Sequence, residues 1–359
     1  MKRIVLTGGG TAGHVTPNIA LLPELKARGY EVYYIGSING MEKKLIEDYN
    51  IPYYGISSGK LRRYLDIKNF TDPFKVIKGY FDAYKILKKL KPDVVFSKGG
   101  FVTVPVVLAA NRRKIPAIIH ESDMTPGLAN RICIPKATKV CANFSETVDA
   151  LPKEKAVLTG TPIRAELFKG NKIKGLDFAG LTSNKPVLMI IGGSLGATAV
   201  NNAVRAILPE LLKKFQVIHL CGRGKLDESL SNVNGYVQYE YINEQLADLF
   251  AASDLIISRA GANAICEILA LRKPNILIPL SAAQSRGDQI LNANSFKKQG
   301  YSYVLEEENI TNESLLSAIN EVYDARASYV KTMSESTLND SIKTILDLCD
   351  EAASKKHSK

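Results

Sequence analysis

At 359 residues, with 45% apolar side chains, the chain is longer than one hydrophobic core usually serves and can fill two, so two domains are expected. No apolar run approaches the roughly 18 residues of a membrane-spanning helix, Ile4-Val5-Leu6 is too short for a secretory signal, and five scattered cysteines without a C-x-x-C pair argue for a reducing compartment and against zinc or disulfide frameworks. The net charge of +11 lies wholly in residues 1–163, with 25 Lys and Arg against 14 Asp and Glu, whereas residues 164–359 hold 22 against 22; besides a solvated basic face, this implies an anionic partner for the first half, whether nucleic acid, acidic lipid or a phosphorylated substrate.

Ile4-Val5-Leu6 predicts a strand, Thr7 to His14 (TGGGTAGH) a glycine-rich turn, and the pattern from Pro17 a helix. Main-chain N–H groups at such a turn and helix start suit an anion or a sugar oxygen. Glycine lets the backbone approach a ligand, and open α/β sheets bind ligands at strand carboxyl ends. Gly8, Gly10 and Gly13 satisfy G-x-G-x-x-G, but the second strand, Glu31 to Ile35, ends in Gly36-Ser37 and not in the acid that a dinucleotide's ribose requires, so NAD is disfavoured. His14, one of four histidines, favours chemistry at this turn over a plain strand-to-helix connection.

Ser57 to Leu65, with Lys60, Arg62 and Arg63, reads as a polar, basic loop. Pro73 to Leu90 predicts a helix with two apolar stripes, Phe74/Ile77/Phe81/Tyr84 and Val76/Tyr80/Ala83/Leu87, among Lys75, Lys78, Lys85, Lys88 and Lys89. Burial of both stripes is one reading; the other sets Phe70, Phe74 and their neighbours in a bilayer interface with the lysines at anionic headgroups. No RNA-binding signature accompanies these residues, so nucleic acid is not expected.

Asp93 to Phe96 predicts a strand running into a second glycine turn, Ser97-Lys98-Gly99-Gly100, and a helix from Val102 to Ala110. Ala117 to His120 predicts a strand that delivers His120-Glu121-Ser122-Asp123 to the same carboxyl edge, before a helix start at Leu128. Short strands at Lys139–Cys141 and Ala156–Leu158 follow, and Gly160-Thr161-Pro162 breaks the pattern. The domain boundary is expected at Thr161–Arg164, with 171–185 a loop-rich linker.

The second half repeats the plan. Strands are predicted at Val187–Ile191, Val217–Leu220, Val237–Ile242, Asp254–Ser258 and Asn275–Pro279. The turn Gly192 to Ala197 suits a diphosphate at a helix N-terminus. Arg259 and Glu267 flank the Gly261 turn, where a carboxylate can accept two ribose hydroxyls. Gln284 to Gln289 offers amides and Asp288 for sugar hydroxyls, and Arg164 could close onto a phosphate; a cap, turn or surface ion pair is the alternative for each residue alone. Alternating strands and helices imply parallel sheets with right-handed crossovers, and two such units with facing glycine loops imply a cleft between domains.

TGGGTAGH, FSKGGFVTVP, HESDMTPGLANRI, IGGSLGA, SRAGANAICE and SRGDQILNAN closely resemble the bacterial MurG family, N-acetylglucosaminyltransferases that act on undecaprenyl-pyrophosphoryl-MurNAc-pentapeptide (lipid I), over residues 1 to about 350. The resemblance implies a GT-B fold: two Rossmann-like parallel-sheet α/β domains facing across a cleft. Residues 1–163 would be the acceptor and membrane-associated domain, 164–336 the UDP-GlcNAc domain, and a helix at 337–352 would return to the first. It further implies Ser194 and its loop at the diphosphate, Ile242 at uracil through main-chain groups, and Ala262 to Glu267 as the helix start at the nucleotide, with Glu267 at the ribose. Gln289 with Asp288 would take the GlcNAc, Thr11, Ala12 and Gly13 would approach the transferred sugar, and Arg164 the phosphates. The family often has Asn where this chain has Asp123 and Gln where it has Asp288.

The implied reaction is a single inverting displacement by the muramyl 4-hydroxyl, giving lipid II for peptidoglycan synthesis. A histidine's ordinary pKa near 6.5 suits a base at neutral pH, so His14 is the first candidate, with Glu121 or His120 second. No Asp-x-Asp occurs, so no catalytic metal or other cofactor is expected. Expected partners are UDP-GlcNAc, lipid I, anionic inner-leaflet lipids and cell-wall synthesis complexes, at the cytoplasmic face of the cell membrane. Competing readings are a UDP-GlcNAc 2-epimerase, another GT-B glycolipid synthase, and a non-catalytic nucleotide-binding scaffold.

Overall fold

Segments apolar at every position, such as Ile4-Val5-Leu6, Val94-Val95-Phe96 and Val187 to Ile190, have no polar face to offer water and form strands buried on both sides. In the computed structural model, which describes residues 2–59, 68–193, 196–284, 287–336 and 340–357 (the side chains of 68–73 and 357 excepted), these strands build two parallel sheets. The first contains β1 (Lys2–Thr7), β2 (Tyr30–Ser37), β3 (Tyr53–Ile56), β4 (Val94–Ser97), β5 (Ala117–Glu121), β6 (Lys139–Ala142) and β7 (Ala156–Leu158), in the order β3-β2-β1-β4-β5-β6-β7. The second contains β8 (Val187–Ile191), β9 (Gln216–Leu220), β10 (Tyr236–Tyr239), β11 (Leu255–Ser258), β12 (Asn275–Leu277) and β13 (Tyr303–Val304), in the order β10-β9-β8-β11-β12-β13. Strand order reverses between β1 and β4 in one sheet and between β8 and β11 in the other, and a crevice opens at the carboxyl ends of strands at such a point.

The chain divides into two units, Met1–Arg164 with Asp340–Lys359, and Ala165–Asn339. The last helix, Ser341–His357, completes the first unit. Its Ile345, Leu346, Cys349 and Ala352 pack in one core with Ile4, Leu6, Val94, Phe96 and Cys141. Polar contacts fix its register: Arg28 bonds both Asp347 (2.8 Å) and Asp350 (2.9 Å), Tyr30 donates to Asp350 (2.9 Å), and Ser341 Oγ donates to the carbonyl of Thr161 (2.9 Å).

Three sequence expectations are revised. Residues 171–185 are not loop throughout: Asn171 caps Lys172–Ala179 by accepting from the N–H of Lys174 (3.1 Å), and Gly180, at φ 64°, ends that helix in the left-handed conformation glycine favours. The strand expected over Val237–Ile242 stops at Tyr239. The helix containing Pro73 to Leu90 spans Lys68–Leu90 and buries only one of its stripes: Ala83 and Leu87 join the core, while Phe74, Ile77 and Phe81 are 74%, 56% and 56% exposed.

Buried His219 on β9 is held neutral in the second unit. Its Nε2–H donates to Asn201 Oδ1 (3.0 Å) in the tautomer where Nδ1 accepts from the Tyr236 hydroxyl (2.9 Å), and burial lowers its pKa to about 3. The unfolded chain takes up this proton near pH 6.5 and the folded unit does not, so stability falls with acidification by about 1.4 kcal/mol per pH unit between about 6.5 and 3. Urea unfolding followed across that window should show this slope, and His219→Gln should remove it.

Candidate active site

In the first unit the site is built where β1 and β4 end side by side. After Thr7 the chain turns through Gly8 to Gly10, enters the short 3-10 turn Ala12–His14 and continues into Thr16–Ala20. The glycines serve the loop's own packing. A Cβ on Gly8 would lie 2.3 Å from the His14 carbonyl, and one on Gly9 would lie 2.6 Å from the Glu42 carboxylate. Gly99 and Gly100, which follow β4, take φ of 98° and 91°, and a Cβ on Gly100 would meet the Gly9 carbonyl at 2.2 Å. The two turns are joined by the Gly9 N–H, which donates to the Gly99 carbonyl at 3.3 Å.

His14 is held by this packing. Its Nδ1 lies 3.0 Å from the Gly9 carbonyl oxygen and 3.2 Å from Thr11 Oγ1. A carbonyl only accepts, so Nδ1 carries the proton and Nε2 presents its lone pair. Burial, then the charge of Lys98, lowers the His14 pKa, which keeps the ring neutral at pH 7. Thr11 and Ala12 stand exposed at the tip of the turn, beside half-buried Gly13.

β5 places His120 and Glu121 beneath this edge, and neither has the geometry of a base. His120 is fully buried; its Nε2–H donates to the Gly160 carbonyl (2.8 Å), and its Nδ1 accepts from Lys98 Nζ (2.8 Å). Burial and Lys98 hold its pKa well below the usual value. Each Glu121 oxygen already accepts two hydrogen bonds. The N–H groups of Ser122 (2.9 Å) and Asp123 (3.0 Å) bind Oε1; the Gly127 N–H (3.1 Å) and Asn130 Nδ2 (2.8 Å) bind Oε2. Burial raises its pKa, and those bonds oppose the rise. Such a carboxylate shapes the loop 122–127. Lys98 also donates to Ser122 Oγ (2.5 Å), tying the second glycine turn to that loop.

Lys98, Asn130, Asn18, Tyr34 and Glu42 were not singled out as functional from the sequence. The Tyr34 hydroxyl donates to the Gly8 carbonyl (2.8 Å), and Asn18 Nδ2 donates to the carbonyl of Thr7 (3.2 Å). A lysine two residues past the apolar run Val94-Val95-Phe96 is the one available signal, since a charge there must be buried or placed at a site.

In the second unit, Gly192 and Gly193 follow β8, and Gly196 turns at φ 68° so close to β9 that a Cβ would lie 1.9 Å from the Cys221 carbonyl. The helix Thr198–Ala206 starts directly after. Ser194 lies outside the described residues. The neighbouring turn, after β11, leads through Gly261 as N-cap into Ala262–Ala270, with Ala262 buried in the first position and Glu267 half-buried one turn on. Asn292 donates to the Ala260 carbonyl (3.2 Å) and holds that turn.

Arg259 is engaged within the protein. It donates to the carbonyls of Ile278 and Pro279 (3.2 Å each) and pairs with Glu307, and both charged groups are nearly buried. Gln289 Oε1 accepts from the Leu280 N–H (3.0 Å), which fixes Nε2 as the donor end of that amide. Ile242 is half-buried beyond β10. Arg164, the last residue of the first unit, is half-buried, and its Nε has no partner among the described residues. No group of three or more His, Cys, Asp or Glu side chains among the described residues is placed to hold a metal ion.

Two parallel sheets, each with a glycine turn and a helix start at the point where strand order reverses, define a GT-B-type glycosyltransferase. The chain belongs to glycosyltransferase family 28, whose N-terminal domain matches residues 4–142 and whose C-terminal domain matches residues 187–348. It is 72% identical over 351 residues to the UDP-N-acetylglucosamine–N-acetylmuramyl-(pentapeptide) pyrophosphoryl-undecaprenol N-acetylglucosamine transferase of Lachnoclostridium phytofermentans, covering 98% of this chain and 99% of that protein. It is 66% identical to the protein of the same description from Lachnospira eligens, over 97% of this chain and 98% of that one. The crystal structure of Acinetobacter baumannii MurG is similar at a TM-score of 0.76 and 27% identity, covering 98% of this chain and all of that one.

The saturated carboxylate of Glu121 gives a distinct expectation. Glu121→Gln keeps the shape but turns an NH2 group toward N–H donors, and should cost about 1–3 kcal/mol of stability. Thermal melting should register that loss, and the pH at which activity falls on the acid side should not move. A variant that melts normally yet loses more than a thousandfold in kcat would return Glu121 to the role of base.

Proposed function

We propose that the protein transfers GlcNAc from UDP-GlcNAc to the muramyl 4-hydroxyl of lipid I, with inversion, and so makes lipid II. The observation that carries the mechanism is the neutral His14 imidazole, locked through Nδ1 so that Nε2 is available at a strand's carboxyl edge. The acceptor O4 attacks the anomeric carbon, the bond from that carbon to the UDP oxygen breaks, and Nε2 takes the hydroxyl proton. The departing diphosphate gains charge, which is met by the N–H groups at the Gly192–Gly196 turn and helix start and by Arg164.

The first unit holds the acceptor and the second the donor. Ile242 offers main-chain groups to uracil, Glu267 accepts from the ribose hydroxyls, and the Ser194 loop and the helix start at Ala262 take the nucleotide. The donor end of Gln289 meets the sugar. Thr11, Ala12 and Gly13 approach the transferred GlcNAc. The Leu280 N–H bond that orients Gln289 supports its part in this reading.

The excess positive charge of residues 1–163 and the exposed Phe74, Ile77 and Phe81 on a lysine-bearing helix support peripheral attachment to anionic lipids of the inner leaflet, where the undecaprenyl chain of lipid I is anchored. No helix among the described residues is long and apolar enough to cross a membrane. On that face the protein meets cell-wall synthesis complexes.

UDP release by the purified protein, with and without a lipid I analogue, tests the activity. Release only with the analogue, giving a β-linked disaccharide lipid, is expected; release without acceptor together with a 2-epimer would replace the transferase by an epimerase. His14→Ala should lower kcat by roughly 10²–10⁴, and wild-type activity should fall on acidification through the depressed His14 pKa, because only the neutral ring can take the proton. Near wild-type turnover by His14→Ala at saturating donor would remove it as the base. Phe74→Ser with Phe81→Ser should weaken sedimentation with anionic liposomes at least tenfold and leave turnover of a soluble acceptor analogue unchanged; equal sedimentation would detach this helix from the membrane.

A further inference from the structure

Glu42 is a fully buried carboxylate that the steps above leave unused. It sits at the start of the helix Met41–Glu47, and three glycines from separate segments surround it. A Cβ on Gly9 would lie 2.6 Å from its Oε1, one on Gly36 would lie 2.8 Å from its Cγ, and one on Gly40 would lie 2.2 Å from its Oε1. Oε1 accepts from the Ser37 N–H at 2.8 Å and Oε2 from the Gly10 N–H at 3.3 Å. Burying a carboxylate is costly unless its oxygens are bonded, and here the bonds run to the end of β2 and to the catalytic turn.

We infer that Glu42 is a positioning residue for the reaction, holding the Gly9–Gly10 peptide so that the Gly9 carbonyl keeps His14 in the tautomer whose Nε2 faces outward. The chain of contacts is short: the Glu42 carboxylate bonds the Gly10 N–H, the same peptide unit carries the Gly9 carbonyl, and that oxygen accepts from His14 Nδ1 at 3.0 Å. One peptide plane therefore links the buried acid to the base, and a rotation of that plane would turn the acceptor away from the imidazole. Tyr34 fixes the preceding carbonyl, of Gly8, so the plane between Gly9 and Gly10 is the part of the turn left to Glu42.

This inference rests on His14 being the base, and two variants test it. Glu42→Gln keeps the volume but offers one acceptor where two N–H groups need one each. Gly40→Ala keeps Glu42 and, at φ −80° and ψ 152°, suits alanine's backbone, but sets a methyl group within 2.4 Å of both carboxylate oxygens and so pushes the carboxylate aside. Both should fold, Gly40→Ala melting within a few degrees of wild type and Glu42→Gln lower, because its NH2 group is turned toward an N–H donor. In both, kcat should fall roughly 10- to 100-fold, the effect of misplacing a catalytic group, with KM for UDP-GlcNAc changed less than twofold. Selectively ¹⁵N-histidine-labelled protein, which has four rings to assign, should show His14 as the Nδ1–H tautomer in wild type and as a mixture in both variants. Unchanged kcat, an unchanged tautomer, activity lost only in proportion to the folded fraction, or failure of both variants to fold would each overturn the inference and leave Glu42 a structural acid. If wild-type protein makes no disaccharide lipid, the transferase reading fails on its own, and the tautomer measurement still decides what Glu42 does.

Discussion

The first unit depends on the close approach of two backbone turns. Adjacent parallel strands bring Gly8–Gly10 and Gly99–Gly100 together, and the contact between them is main chain against main chain, with no room for a side chain at Gly100 and a hydrogen bond from Gly9 to Gly99. Strand spacing sets how near the turns come, and the missing Cβ atoms let them meet. That contact packs the Gly9 carbonyl against Gly100, and the same carbonyl faces His14 Nδ1 at 3.0 Å.

Polar groups under the turns are numerous and buried, which costs stability unless each is bonded. The structure meets the cost by linking them. Lys98 donates to His120 and Ser122, His120 donates to the Gly160 carbonyl, and Asn130 joins Glu121 to the carbonyl of His120. The network separates two kinds of residue that a sequence motif writes side by side. His120 and Glu121 are spent on internal bonds, whereas His14 is bonded through Nδ1 alone among the described residues. The same division holds in the second unit, where Arg259 is engaged by Glu307 and two carbonyls, while among the described residues Gln289 is bonded only at its Oε1 end.

The first unit is not built from one uninterrupted stretch of chain, whereas the second, Ala165–Asn339, is. The closing helix, Ser341–His357, covers the face of β1 and β4 opposite the one that helix Thr103–Arg112 covers. Both faces of a central parallel strand must be covered, so the strand that carries the Gly8–His14 turn is sealed by residues more than 300 positions away. Arg28, Tyr30 and Lys2, all near β1 and β2, meet Asp350 on that helix and set its place.

The parallel sheets, both glycine turns and the placing of His14 at a strand's carboxyl end were legible in the sequence, because apolar runs and glycine punctuation act locally and repeat in both halves. The family was legible in whole motifs. The segment after Asn171 was not, because its helix hangs on an asparagine cap and a terminal glycine within a polar stretch. Nor could the sequence choose between the two stripes of helix Lys68–Leu90, since periodicity reports that a face is apolar and not what lies against it. By itself, then, the sequence determined the fold class, the family and the residue types gathered at each strand end. Only the tertiary structure decided which of those residues are spent and which remain available, because that depends on hydrogen-bond partners brought from distant strands: Glu42 to Gly10, Lys98 to His120 and Asn130 to Glu121.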